Sequence, residues 1–284
     1  MQSSSIYLFN RTVFSMSLVV LLSACGGSSA TTGNQNNSTI PTNPNTNQNN
    51  SLPNQADFAK CSEQIYQQQP TISASMNKGS YPLCFNGFAV LYSGVSRTPI
   101  WVSEHLTRQR LTYAKTLQRE DNFHPEERLP TEFRSELADY RNSGYDRGHL
   151  APNADMSNKT AQYDSFSLAN IAPQHPDNNQ KNWVRIEQLT RSLTNQHGSS
   201  YVVTGVSYLS PQVQKLNNRI LVPTHFFKAV YFPTQNQAVA FITPNDASQQ
   251  TEIVSLQQLQ AITGVDAFPN LPYVVKSVKM AVNF

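Results

Sequence analysis

Charged residues are scarce in this 284-residue chain. They make up 14%, against roughly 25% in an ordinary soluble domain. Asn, Gln, Ser and Thr take their place. Glycine is also sparse, at 11 residues, which excludes collagen-like and glycine-repeat architectures. Beyond the first 30 positions no apolar run reaches the roughly 18 residues of a spanning helix, so a polytopic membrane protein is excluded. The net charge of +3 is too small to argue for nucleic-acid binding by itself. There is no CxxC, HExxH, GxSxG or P-loop pattern, and the six histidines show no short metal-ligand spacing. A zinc enzyme and a serine hydrolase therefore lack support. Residues 101–200 hold 12 Lys and Arg against 13 Asp and Glu. A polyanion site there must be a local constellation of arginines, not a broad basic face.

The N-terminus reads as an export signal. Arg11 precedes an apolar run from Val13 to Leu22, broken by Ser15 and Ser17 and too short to span a bilayer. It leads into Leu22-Ser23-Ala24-Cys25, followed by Gly26-Gly27. Small residues before a cysteine at this place resemble a bacterial lipoprotein signal. The resemblance implies cleavage before Cys25, lipid on its thiol and attachment to a membrane by several acyl chains. No Lys or Asp follows Cys25 directly, which fits the outer membrane of a Gram-negative cell, facing the periplasm or the surface. Residues 26–56 are almost all polar and carry no charge. Such a segment cannot bury enough apolar surface to offset its ordering entropy. The expected organisation is a signal peptide at 1–24, a disordered Asn/Ser/Thr-rich tether at 25–56 and one folded domain at 57–284. With Cys25 lipidated, Cys61 and Cys84 remain as an even pair. In an oxidising compartment they are expected to form a disulfide, worth about 3 kcal/mol in the chain-entropy model.

The pattern of Val, Ile, aromatic and Leu residues predicts strands at Val90–Tyr92, Pro99–Leu106, Tyr201–Val206, Ile220–Val222, Phe226–Phe232 and Ala238–Ile242. A short strand at Ser167–Ile171 is expected to end at Pro173, and Pro125–Pro130 reads as a loop. A helix is predicted from Asn178 or Asn179 to about Gln196, capped by Asp177 or Asn178 and closed by Gly198. A second covers Ser255–Thr263 and stops at Gly264. No internal repeat is present. Strands mixed irregularly with a few helices point to α+β.

The densest polar block is Tyr145-Asp146-Arg147-Gly148-His149-Leu150-Ala151-Pro152-Asn153-Ala154-Asp155-Met156. It is followed by Asn170-Ile171-Ala172-Pro173-Gln174, then Asn178-Asn179-Gln180, Trp183, Glu187 and Arg191. Asp-Arg-Gly-His before an Asn-rich helix start resembles the DNA/RNA non-specific endonucleases, which carry a ββα-metal (His-Me finger) site. Trp101-Val102, Val222–Lys228, Ala240–Asn245 and Thr263-Gly264 with Phe268 extend the resemblance over roughly residues 84–275. It implies a mixed, mainly antiparallel sheet flanked by helices, and hydrolysis of DNA and RNA with little sequence preference.

The residues suit that chemistry. Phosphodiester hydrolysis needs an activated water, charge relief on phosphate and help for the leaving oxygen. His149, with an ordinary pKa of about 6.5, suits the base. Arg147 offers a forked donor to phosphate, and Gly148 is read as allowing close approach of substrate backbone. Asn179, Trp183, Glu187 and Arg191 are spaced by four and form one slowly winding stripe. By resemblance, Asn179 is the one direct protein ligand of Mg²⁺, with Mn²⁺ an alternative, and water and phosphate oxygens complete the shell. Asn178 is then the cap. Glu187 would hold a metal-bound water, and Arg191 would contact phosphate. Arg119 resembles an upstream arginine completing the phosphate clamp, with Arg110 and Arg128 as competitors. Asp146 is read as orienting the local turn or pairing with an arginine.

Overall fold

The computed structural model describes residues 55–284, with side chains from Phe58 onward. The signal peptide, Cys25 and almost all of the tether lie outside the described residues. Among the described residues no helix is long and apolar enough to cross a membrane.

The strands and helices that matter for the site are numbered in chain order. They are β1 (Ser80–Cys84), β2 (Ala89–Ser93), β3 (Thr98–Thr107), α1 (Arg108–Ala114), β4 (Asp146–His149), α2 (Lys159–Ser165), β5 (Ile171–Gln174), α3 (Val184–His197), β6 (Ser199–Ser207), β7 (His225–Phe232), β8 (Gln237–Pro244), β9 (Glu252–Val254) and α4 (Leu256–Thr263). Seven strands form one antiparallel sheet in the order β9-β8-β7-β6-β3-β2-β1. The fold is thus α+β with a mainly antiparallel sheet, as the irregular mix of elements predicts.

Both sheet faces are covered, which explains why its central strands read as continuous apolar runs without alternation. On β7, Phe227, Ala229 and Tyr231 face a core shared with Trp101, Leu256 and Leu259. Phe226, Val230 and Phe232 face the other core, with Val102, Leu106, Trp183 and Ile186. Two charged residues interrupt this second face. Glu104 on β3 and Lys228 on β7 are almost fully buried there, beneath α3. The Lys228 ammonium donates to Thr204 Oγ1 at 2.5 Å and lies 5.4 Å from the centre of the Trp183 ring.

Local signals set several boundaries. Ser255 caps α4 by accepting from the Gln258 N–H, while the Gln258 side chain accepts from the Ser255 N–H. Gly264 ends the helix in the left-handed conformation, as the sequence predicts. The structure joins Cys61 to Cys84, with Cα atoms 5.5 Å apart. This ties the N-terminal turns to the end of β1.

The predicted strand at 220–222 is present as Ile220–Leu221, paired with Lys215–Leu216 in a separate two-stranded ribbon. Two sequence expectations differ. The segment 168–170 is a 3₁₀ turn, and the strand begins at Ile171 and runs through Pro173. Proline is tolerated because β4 and β5 form a ribbon of only two strands, with open edges that need no donor. The long helix starts at Pro176 rather than at Asn178 or Asn179. Its cap is His175, whose Nδ1 accepts from the Asp177 N–H at 3.2 Å, and proline is well suited to the first turn.

Candidate active site

The site is built on β4, β5 and the start of the long helix. β4 pairs antiparallel with β5 in the register Asp146–Gln174, Arg147–Pro173, Gly148–Ala172 and His149–Ile171. The chain then enters a π-helical turn, Asn178–Trp183, before α3. This wider turn inserts itself into the four-residue stripe expected from Asn179 to Arg191. Such turns often occur at functional positions.

Gly148 serves packing. A Cβ there would stand 2.2 Å from Gln174 Oε1 and 2.6 Å from Gln174 Cβ. The space expected for substrate backbone is filled by Gln174, which is completely buried.

His149 lies between two phenyl rings, 5.3 Å from Phe123 and 5.1 Å, edge-on, from Phe166. Its Nε2 is buried and has no hydrogen-bond partner. Burial, reinforced by the nearby Arg119 and Arg147 guanidiniums, lowers its pKa to about 3. The ring is therefore neutral across the physiological range. Asn170 anchors the chain just beyond it. Its Oδ1 accepts from the Ala151 N–H, its Nδ2 donates to the Ala151 and Ser165 carbonyls, and its own carbonyl accepts from the Leu150 N–H.

Two of the sequence-selected arginines flank this ring. The Arg147 guanidinium lies 4.0 Å from the centre of Phe123, and that of Arg119 lies 5.1 Å from the centre of Phe166. Arg119 also pairs with Asp121 at 2.7 Å, with both side chains in solvent. Its two competitors are engaged elsewhere. Arg110 is partly buried, donating to the Asp155 and His105 carbonyls and facing Glu104. Arg128 holds Glu126 in a forked pair and donates to the Cys84 carbonyl.

On the helix side, Asn179 Nδ2 donates to Asp146 Oδ2 at 2.9 Å, and Gln180 Nε2 donates to the same oxygen at 2.8 Å. Asp146 therefore fixes the Asn179 amide through its nitrogen and leaves Oδ1 without a protein partner. Asn178 is no cap. It sits inside the helix, fully buried, with both side-chain polar atoms unpaired. Glu187 is half-buried, and burial raises its pKa to about 7 against the pull of Lys228 and Arg191. Arg191 pairs with the buried Asp155 at 3.1 Å.

The donor set fits a hard divalent ion with a largely aqueous shell. It offers one free amide oxygen, with Glu187 further along the helix. Among the described residues no three His, Cys, Asp or Glu side chains cluster to form a protein-only metal cage. Sequence reasoning gave no role to Asp155, Asn170, Phe123 or Phe166. Asp155 and Asn170 stood within the quoted motif blocks without a role, and Phe123 and Phe166 left no local signal.

Comparison with known proteins places this architecture. The model of the DNA/RNA non-specific endonucleases matches residues 67–274. The chain belongs to that family. It is similar to the mitochondrial nuclease of Saccharomyces cerevisiae, 34% identical over 213 residues, covering 65% of this chain and 64% of the yeast protein. Human mitochondrial nuclease EXOG is 34% identical over 217 residues, covering 68% of this chain and 58% of that protein. Human endonuclease G is 32% identical over 222 residues, covering 71% and 72%. The chain thus spans less than two thirds of the yeast nuclease and of EXOG. Among solved structures, a complex described as EndoG with EndoGI superposes with a TM-score of 0.60 at 27% identity, covering 66% of this chain and 86% of its counterpart.

Proposed function

We propose that this family member is a divalent-metal-dependent endonuclease that hydrolyses phosphodiester bonds of DNA and RNA with little sequence preference. The observation that carries the reading is the pairing of a neutral histidine with a free amide oxygen on one β4–β5–helix unit. Asp146 orients the amide, and Arg147 and Arg119 flank the histidine.

His149 is the general base. Nε2 is buried, so Nδ1 is the nitrogen that takes the proton from an attacking water. The lowered pKa guarantees the unprotonated form, at some cost in basicity. Arg147 and Arg119, held against phenyl rings, bind non-bridging phosphate oxygens and position the strand without reading bases. Asn179 Oδ1 would hold Mg²⁺ or Mn²⁺, with Glu187 accepting from water around it. The ion, when bound, relieves charge on the phosphate and on the departing oxygen. Arg191, neutralised by Asp155, contributes less free charge to phosphate than the sequence suggests. Attack by an external water needs no 2′-hydroxyl, so both nucleic acids are substrates.

The lipoprotein-like signal supports an exported protein, lipidated at Cys25 and held to the outer membrane, periplasmic or at the cell surface. Radiolabelled palmitate incorporated by the wild type and lost in Cys25→Ser would test this. For the activity, supercoiled plasmid is incubated with the full-length chain, with Mg²⁺ or EDTA, beside His149→Ala. Metal-dependent nicking lost in the variant is expected. Intact plasmid under every condition, with DNA still shifted on a gel, would sink the enzyme reading in favour of a binding protein.

A further inference from the structure

A cleft of about 630 Å³ runs alongside the site, between α1 and the outer face of α3. Arg119, whose guanidinium borders the Phe166 ring beside His149, lines it together with Arg191, and Lys115, Gln188, Ser192 and Asn195 are among its other polar lining residues. Among the described residues no Asp or Glu lines it. Gln188, Ser192 and Asn195 follow the spacing i, i+4, i+7, so they share one helix face. That stripe extends about 10 Å along the axis. The Lys115 ammonium and these three side chains have no hydrogen-bond or ion-pair partner among the described residues.

A second cleft, of about 620 Å³, lies by His124, the neighbour of Phe123. Its lining includes Glu126, Glu127 and Asp164, and its Arg128 is consumed by Glu126. A polyanion meets unpaired donors and no lining carboxylate in the first cleft, and three carboxylates beside Lys60 in the second.

We propose that the α1–α3 cleft is a second phosphate subsite, which takes the backbone of the nucleotide adjoining the scissile one. The proposal rests on the reading of the site as a phosphodiesterase and adds the direction in which the strand leaves it. Lys115 supplies the charge, and the amides and hydroxyl of α3 supply neutral donors to phosphate and sugar.

The test measures binding of a fluorescein-labelled single-stranded 12-mer to the full-length chain. Every protein carries His149→Ala, with Mg²⁺ present, and salt is varied. Lys115→Glu is expected to weaken binding at least tenfold and to lower the slope of log K against log salt by about 0.7 or more. Gln188→Ala with Asn195→Ala is expected to weaken binding severalfold at an unchanged slope, since neutral donors displace no counterions. Lys60→Glu makes the same charge change at the acidic cleft and is expected to stay within twofold. All substitutions are on exposed or half-exposed side chains, and thermal melts confirm folding. Equal losses for Lys115→Glu and Lys60→Glu, or no loss for Lys115→Glu, would overturn the subsite. The expected pattern supports it even if the wild-type chain does not cut, so the two readings fail separately.

Discussion

Replacing Gly148 by alanine separates two roles for this glycine. If it exists to admit substrate backbone, an added methyl leaves the free protein undisturbed and raises KM. The structure predicts otherwise. The new Cβ would meet Gln174 Oε1 at 2.2 Å, Cβ at 2.6 Å and Cδ at 3.0 Å. The amide end can rotate, but Gln174 Cβ is fixed to β5, and its side chain is wholly enclosed. Either β4 or β5 must shift. Overpacking of this kind costs about 1–3 kcal/mol. For a domain of this size each kcal/mol lowers Tm by about 2–4 °C, so a fall of about 2–12 °C is expected. His149, the proposed base, is the next residue, and a displacement near 1 Å at such a group can cost about 100-fold in rate. Circular-dichroism melts and plasmid nicking read the two effects together. A Tm within about 1 °C of wild type, with only KM changed, would refute the packing argument.

Other perturbations give equally definite outcomes. His149 has a folded pKa depressed to about 3. Its contribution to stability is therefore intact above an unfolded pKa of about 6.5 and lost as pH falls towards 3, at most about 4–5 kcal/mol. Urea titrations should show His149→Leu with a flatter acid limb, and identical limbs would contradict the burial of the ring. Asp155→Ala strands Arg191, whose side chain is 19% exposed, and should cost about 3 kcal/mol. The double variant Asp155→Ala/Arg191→Ala should be more stable than the single one in the same melts, and additive losses would show that the pair is uncoupled. Reduction of Cys61–Cys84 should lower stability by about 3 kcal/mol, measured by denaturant midpoints with and without reductant. An unchanged midpoint would remove the bond from the stabilising contacts.

Sequence alone determined the parts whose physics is local or whose spacing is distinctive. The β7 and β8 runs, the helix over 255–263 with its Gly264 stop and the even cysteine pair all follow from conformational preference or counting. The Asp-Arg-Gly-His block with its Asn-rich helix start was enough to reach the family. Tertiary structure decided what depends on residues far apart in the chain. Arg119, Arg110 and Arg128 are chemically equivalent in sequence. Only the fold sets Arg119 against the Phe166 that borders His149, while it ties the other two to Asp155 and Glu126. The role of Gly148 depends on a strand register across 26 residues, which places Gln174 over it. The π-turn and the buried Glu104 and Lys228 were equally hidden. Periodicity reports which face of an element is apolar, but not which opposing group makes a buried charge or an extra residue tolerable.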